Sequence, residues 1–179
     1  GLSVPVDAEH PLIVHIPCGV GGAPGGICFG LKQEFGDHVH VFFVEPVEAP
    51  CMLLGLSSGL QNNICVQDIG LSGRTAADGL AVGRPSGFVG EAVKALVSGG
   101  FTVSDEHLFT YLRALYAAEG LFAEPSACAG FAGAAELSKM TDYLESSGLG
   151  VHFANATHIV WATGGALVPE KELETYLAK

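Results

Sequence analysis

Positive charge is scarce in this chain: eight Lys and Arg stand against nineteen Asp and Glu, for a net charge of −11. No stretch gathers the basic residues, which excludes the phosphate-tracking surfaces that nucleic acids and anionic membranes select. An apolar run of membrane-spanning length is lacking too, because Gly, Pro or a charge interrupts each one early. The five cysteines (18, 28, 51, 65, 128) are odd in number and form no CxxC pair. A disulfide framework is thereby excluded, and buried free thiols in a reducing, cytoplasmic setting are expected. The opening "GLSVPVDAEHP" has neither an initiating Met nor the basic segment of a signal peptide, so it reads as the start of a processed or excised piece.

Apolar residues, by contrast, are abundant at 49% of the 179 positions, enough for one domain with a substantial core. "PLIVHI" and "VHVFFVEP" have the composition of strands buried on both faces. Between them "GGICFGLKQEFGD" carries helical spacing and stops at Gly36. "CMLLGLSSGL" reads as a short helix, "ICVQDI" as an edge strand, and "SGFVGEAVKALVSGG" as a helix with a Ser start and a glycine stop. "SDEHLFTYLRALYAAEG" is a helix capped by Ser104, with His107 at the third helical position and Gly120 at its end. "EPSACAGFAGAAELSKMTDYLESSG" begins a helix of small residues suited to close packing on a sheet. "NATHIVWATGG" is a last strand, and "PEKELETYLAK" a terminal helix opened by Pro. Alternating strands and helices predict an α/β three-layer sandwich on a mostly parallel sheet, with the turns after Ile16, Val44 and Trp161 gathered at one edge.

The chemistry concentrates in "IPCGVGGAPGG", Ile16 to Gly26, where a buried strand hands over to a helix through bare backbone. Amides at a helix N-terminus with no side chains in the way suit a phosphate. A P-loop is excluded because Ile27 and Cys28, not Lys and Ser/Thr, follow Gly26. The dinucleotide fingerprint fits in part: Gly19 and Gly21 match and Glu45 ends the next strand, but Pro24 takes the third glycine's place. "GLSSG", Gly55 to Gly59, has the letters of a nucleophile elbow but the setting of a helix end. His38 and His40 share a strand face that permits a metal pair, without a third ligand at a clear spacing; they read as strand-end residues, as do His15, His107, His152 and His158. Thr163 in "WATGG" ends a buried strand, where its hydroxyl either meets a ring heteroatom or caps its own turn.

"PCGVGGAPGG", "FFVEPVEAPCM", "TAADGLAVGRPSGFVG", "EPSACAGFAG" and "WATGG" occur in that order. The series resembles the fold-type-II pyridoxal-phosphate enzymes, relatives of the tryptophan synthase β chain, and within them the D-serine dehydratase group, over nearly the whole chain. The resemblance implies that the amides of Gly19, Val20, Gly21, Gly22 and Ala23 hold the phosphate of pyridoxal phosphate and that Thr163 faces its pyridine nitrogen. It implies a monovalent cation (K+ or Na+) at Glu45, the Ala49 carbonyl and Cys51, the last through carbonyl more than sulfur. Asp78 and Gly79 match a segment near the cofactor. The activity implied is dehydration and deamination of D-serine to pyruvate and ammonia.

One departure is large: the Schiff-base lysine motif is missing. Lys32, Lys94, Lys139, Lys171 and Lys179 all sit in other surroundings, and the small substrate-gripping domain is absent. The chain is therefore expected to be a single domain, residues 1–179, forming the C-terminal portion of a longer lyase, its partners D-serine and the missing N-terminal part. It is expected to be inactive unaided. A non-catalytic phosphate- or cofactor-binding module, or an NAD-type oxidoreductase, is the competing expectation.

Overall fold

In a computed structural model, residues 4–179 are described; residues 1–3 of the opening stretch lie outside them. Strand β1 (Leu12–Pro17) is buried along its whole length. Helix α1 (Gly22–Phe35) follows it, and Gly36 ends the helix at φ 56, a left-handed value that side chains disfavour. Strand β2 (Val39–Pro46) leads into α2 (Cys51–Ser58), closed by Gly59 at φ 72. After a long irregular stretch come α3 (Gly87–Val93), β3 (Gly99–Val103) and α4 (Asp105–Glu119). Helices α5 (Gly130–Glu136), α6 (Thr141–Ser146) and α7 (Leu149–His152) precede β4 (Thr157–Val160), and α8 (Glu170–Leu177) completes the chain.

The strands form one parallel sheet in the order β3–β2–β1–β4, with Leu12 opposite Val39 and Thr157, and Phe42 opposite Gly99. Alternation along the strands divides the core in two. Leu12, Val14, Ile16, Val39, Val41 and Phe43 pack against Cys28 of α1, Met52 of α2 and Val93 of α3. On the other face Ile13 and Phe42 meet Leu137 and Leu149, while Val44 and Val103 meet Leu108 of α4 and Ala129 and Ala132 beside or within α5. The α/β sandwich with a parallel sheet is thus as expected. So is α4, whose first turn is capped by the Ser104 oxygen accepting the His107 amide at 3.4 Å.

Several expectations need correction. "ICVQDI" is not a strand: Val66–Ile69 is a turn of 3-10 helix, closed locally by the Cys65 amide donating to Asp68 (2.9 Å) and by Gly70 at φ 85. The helix after Ser86 stops at Val93, and Gly99 and Gly100 open strand β3 instead of ending a helix. The small-residue segment from Glu124 is not one helix; a 3-10 turn (Pro125–Cys128) precedes α5. His38 lies in the turn before β2, so only His40 is on the strand.

A parallel sheet places every strand's carboxyl end on one edge. Because β1 connects to β2 on one side and pairs with β4 on the other, the connections diverge between β1 and β4. In open α/β sheets it is outside the strand ends at such a divergence that ligands bind.

Candidate cofactor-phosphate site

The loop Cys18–Gly21 leaves β1 at this edge and becomes the first turn of α1. The Cys18 amide is still tied to the sheet, donating to Val44 at 2.9 Å. Beyond it, no described residue accepts a hydrogen bond from the amides of Gly19, Val20, Gly21, Gly22 or Ala23. The loop's carbonyls are the groups held by protein. The Gly19 carbonyl accepts from the Cys51 thiol (3.4 Å), the Val20 carbonyl from the Ser86 amide (2.9 Å), and the Gly21 carbonyl from the Gly25 amide (2.8 Å). Helix α1 has neither a capping side chain nor an acid in its first turn, so the positive end of its dipole is uncompensated.

Glycine is required at position 21, where φ is 109 and an added Cβ would run into the Met52 side chain. Gly22 has an ordinary φ, and a Cβ there would meet nothing. The donor set, the helix end and this cradle fit a phosphate group.

One further segment walls the loop. Asp78 and Gly79 sit in a short 3-10 turn whose Gly79 carbonyl lies 3.1 Å from where a Gly19 Cβ would be. That turn is anchored twice: the Gly79 amide donates to the buried Ser126 hydroxyl at 3.1 Å, and the Ala76 amide donates to Asp105 at 2.8 Å. Thr163 lies just beyond β4, whose Val160 is opposite His15 of β1. Its side chain is exposed, and its turn is fastened where the Glu124 amide donates to the Gly164 carbonyl at 3.2 Å. The structure therefore places the glycine loop and Thr163 at neighbouring strand ends, without recording a contact between them.

Glu45, near the end of β2, is 1% exposed. Its two oxygens accept the Met52 amide at 2.8 Å and the Leu53 amide at 2.7 Å, making it the N-terminal clamp of α2. Burial pushes its carboxyl up to about 7, against the downward pull of those two amides. So placed, Glu45 is not free to reach a ribose, and a dinucleotide site loses its acid. Ala49 is buried in the turn between β2 and α2, and Cys51 is the first residue of α2. Glu45 and Cys51 are thus brought together beneath the glycine loop, with Cys18 beside them; both carboxylate oxygens are taken up by α2 amides, and the Cys51 sulfur is aimed at Gly19.

Elsewhere the simpler alternatives hold. Ser57 of "GLSSG" lies in α2, with no strand before it, so it forms no nucleophile elbow. His38, His40 and His152 line a cavity at the opposite sheet edge, but among the described residues no three ligating side chains come close enough to hold a metal. All five cysteines are free. Among the described residues no helix is long and apolar enough to cross a membrane. Lys32 is partly buried, its ammonium donating to the Val39 carbonyl (2.7 Å) at the amino edge of the sheet. Lys94 and Lys139 pair with Glu91 and Glu136, and Lys179 lies over the Phe109 ring. The contacts that sequence reasoning missed are those by which Ser86, Asp105 and Ser126 hold the loop or its wall; Ser86 was read only as a helix start, and nothing local marks the other two as anchors.

An open parallel α/β sheet with bare amides at a helix start beside its switch point is an arrangement suited to a phosphate group. The chain belongs to the pyridoxal-phosphate dependent enzyme family, whose model matches residues 5–148. It is 55% identical over 175 residues to the D-serine dehydratase of Escherichia coli, covering 97% of this chain and 40% of that protein. To the D-serine dehydratase of Yersinia enterocolitica it is 56% identical over 174 residues, covering 97% of this chain and 39% of the relative. The chain thus spans about two-fifths of the length of the curated relatives it matches. Among solved structures, the L-serine ammonia-lyase of Rhizomucor miehei matches with a TM-score of 0.68 at 21% identity, covering 96% of this chain and 50% of that one. Threonine deaminase isoform 2 of Solanum lycopersicum matches at 0.66 and 22%, covering 95% and 44%. These likenesses establish the fold.

Proposed function

We propose that this chain is the cofactor-phosphate portion of a lyase that converts D-serine to pyruvate and ammonia. The observation that carries the reading is the run of unpaired amides from Gly19 to Ala23 at the head of α1, set at the switch point; the relatives' names supply the substrate. Bound pyridoxal phosphate supplies an electron sink that acidifies the Cα–H of an amino acid. The amides of Gly19, Val20, Gly21, Gly22 and Ala23 bind its phosphate dianion, and the exposed Thr163 hydroxyl takes up the pyridine nitrogen. A hydroxyl there leaves that nitrogen unprotonated, as a carboxylate would not. Glu45 and the Ala49 carbonyl hold a monovalent cation behind the loop, with Cys51 at its margin. No lysine with the right surroundings lies among these residues, so the Schiff-base lysine and the substrate-gripping groups belong to a preceding part of the polypeptide, and residues 1–179 alone do not turn over.

Pyruvate release from D-serine by the polypeptide that joins this chain to that part is the decisive assay; no pyruvate, with cofactor bound, sinks the lyase assignment. Gly22→Pro tests the loop. Gly22 is the first residue of α1, where proline is tolerated and an added Cβ would meet nothing, but proline removes the Gly22 amide, so pyridoxal phosphate binding should weaken while the unfolding midpoint stays near wild type. Unchanged binding would show that the phosphate sits elsewhere.

A further inference from the structure

We propose that Cys51 is a positioning residue of the glycine loop: its thiol holds the Gly19 carbonyl inward and so turns the Val20 amide outward to the anion. The proposal rests on the loop being the phosphate site and names what sets its geometry.

A trans peptide unit is planar, with its C=O and N–H pointing in opposite directions. Whatever holds the carbonyl of one residue therefore decides where the next residue's amide points. The Ser86 amide on the Val20 carbonyl (2.9 Å) in this way aims the Gly21 amide, and the Gly25 amide on the Gly21 carbonyl (2.8 Å) aims that of Gly22. Those two holds come from backbone. The hold on Gly19 comes from a side chain, the Cys51 thiol at 3.4 Å. Cys18 also reaches the Gly19 carbonyl, at 3.5 Å, but from the adjacent residue, whose placement follows the loop and does not set it.

Cys51 is fixed independently of the loop. It opens α2, whose next two amides are clamped by the buried Glu45 at the end of β2. It is fully buried, with its sulfur in hydrogen-bond geometry to the Gly19 carbonyl, and an ordinary thiol carries at neutral pH the proton that it donates there. Glu45 also lies within reach of the thiol, but the contact that meets hydrogen-bond geometry runs to Gly19.

Pyridoxal phosphate titrations, with amide shifts of the loop followed on adding inorganic phosphate, separate this role from general packing. They use the intact polypeptide as wild type, Cys51→Ala, Cys51→Ser and Cys18→Ala, each in potassium and in tetramethylammonium buffer. Cys51→Ala should weaken binding about three- to ten-fold, the range of one net hydrogen bond, and abolish the phosphate-induced shift of Val20 while Gly21 and Gly22 keep theirs. Cys51→Ser should restore most of both, Cys18→Ala should resemble wild type, and the pattern should be the same in the two salts. Wild-type binding by Cys51→Ala overturns the proposal, as does a loss seen only in potassium, which would make Cys51 act through a cation. Should Cys51→Ala fail to fold, Cys51→Val, similar in bulk and without a donor, takes its place. If wild type shows no shift at any loop amide, the phosphate assignment falls, and this proposal with it.

Discussion

Two polar side chains are sealed into the sheet, one on each face, and they are treated in opposite ways. Glu45 on β2 has both oxygens engaged by α2 amides. His15 on β1, 0% exposed, has neither ring nitrogen hydrogen-bonded. It is stacked between Phe42 and His158, each 5.7 Å away, and Gly133 of α5 lies against its edge. The first group is held by what it accepts, the second by its shape. A buried acceptor that organises a helix end is costly to remove, whereas a buried ring with no partners contributes mainly by filling space.

The largest effect should come from breaking the first arrangement. Glu45→Ala leaves the Met52 and Leu53 amides without acceptors at a buried helix start. A stability loss of about 3 kcal/mol in urea unfolding is expected, with the loop above α2 loosened as well. A loss below about 1 kcal/mol would mean that water or a neighbouring group replaces the carboxylate without difficulty.

The pair should also separate in pH. Burial first, then the neighbouring His158, lowers His15 from 6.5 to about 4. Its unfolded form thus takes up protons first, and stability falls as pH drops from 6.5 towards 4. Burial raises Glu45 from 4.5 to about 7, so the folded form holds the proton longer and stability falls as pH rises through that interval. Each effect amounts to about 3 kcal/mol at most, and in the overlapping window the two slopes oppose each other. With tetramethylammonium as the only salt cation, Glu45→Gln should become less stable as pH falls below 6.5. His15→Phe should become less stable as pH rises above 4.5. Parallel slopes in the two variants would contradict these assignments.

How much of this could be read beforehand differs by element. The β1–loop–α1–β2 unit was legible because buried strands, bare glycines and a glycine stop are all local signals, and α4 was legible from Ser104 and Gly120. Strand β3 was not. "SGG" reads as a helix stop, and only packing makes it a strand: the Ser98 amide donates to Val41, and Cβ atoms at Gly99 and Gly100 would press on Phe42 and Leu53. "ICVQDI" failed in the opposite direction, because an Asp68 side chain satisfies the local backbone and no neighbouring strand is needed. At the candidate site, the bare amides were visible in the glycines, but the buried strand expected to end at Thr163 is not there: β4 stops at Val160 and is half-exposed, and Thr163 lies beyond it in an exposed turn. The hold of Cys51 on Gly19 was not legible, since residues so distant in sequence meet only once α2 has packed.

Overpacking at His15 should have a middling effect. A Cβ on Gly133 would lie 2.5 Å from the His15 Nδ1 atom and 3.1 Å from Phe101, between two rings with no free direction to move. Gly133→Ala should therefore cost about 2 kcal/mol. Combining it with His15→Ala should recover part of that loss, because the ring that obstructs the methyl is gone. Strict additivity would show that α5 shifts away from the sheet to accommodate the methyl.

The smallest effect is the most telling about the contrast. His15→Phe keeps a flat ring between Phe42 and His158 and deletes two nitrogens that have no partners. Exchanging an unsatisfied polar ring for an apolar one offsets the slightly larger volume of Phe. Stability at pH 7, where His15 is neutral, should change by less than about 1 kcal/mol in either direction. Pyridoxal phosphate binding should be unaffected, since His15 contacts no part of the glycine loop. A loss of several kcal/mol would mean that the nitrogens are satisfied by buried water, and that His15, like Glu45, is held by its hydrogen bonds.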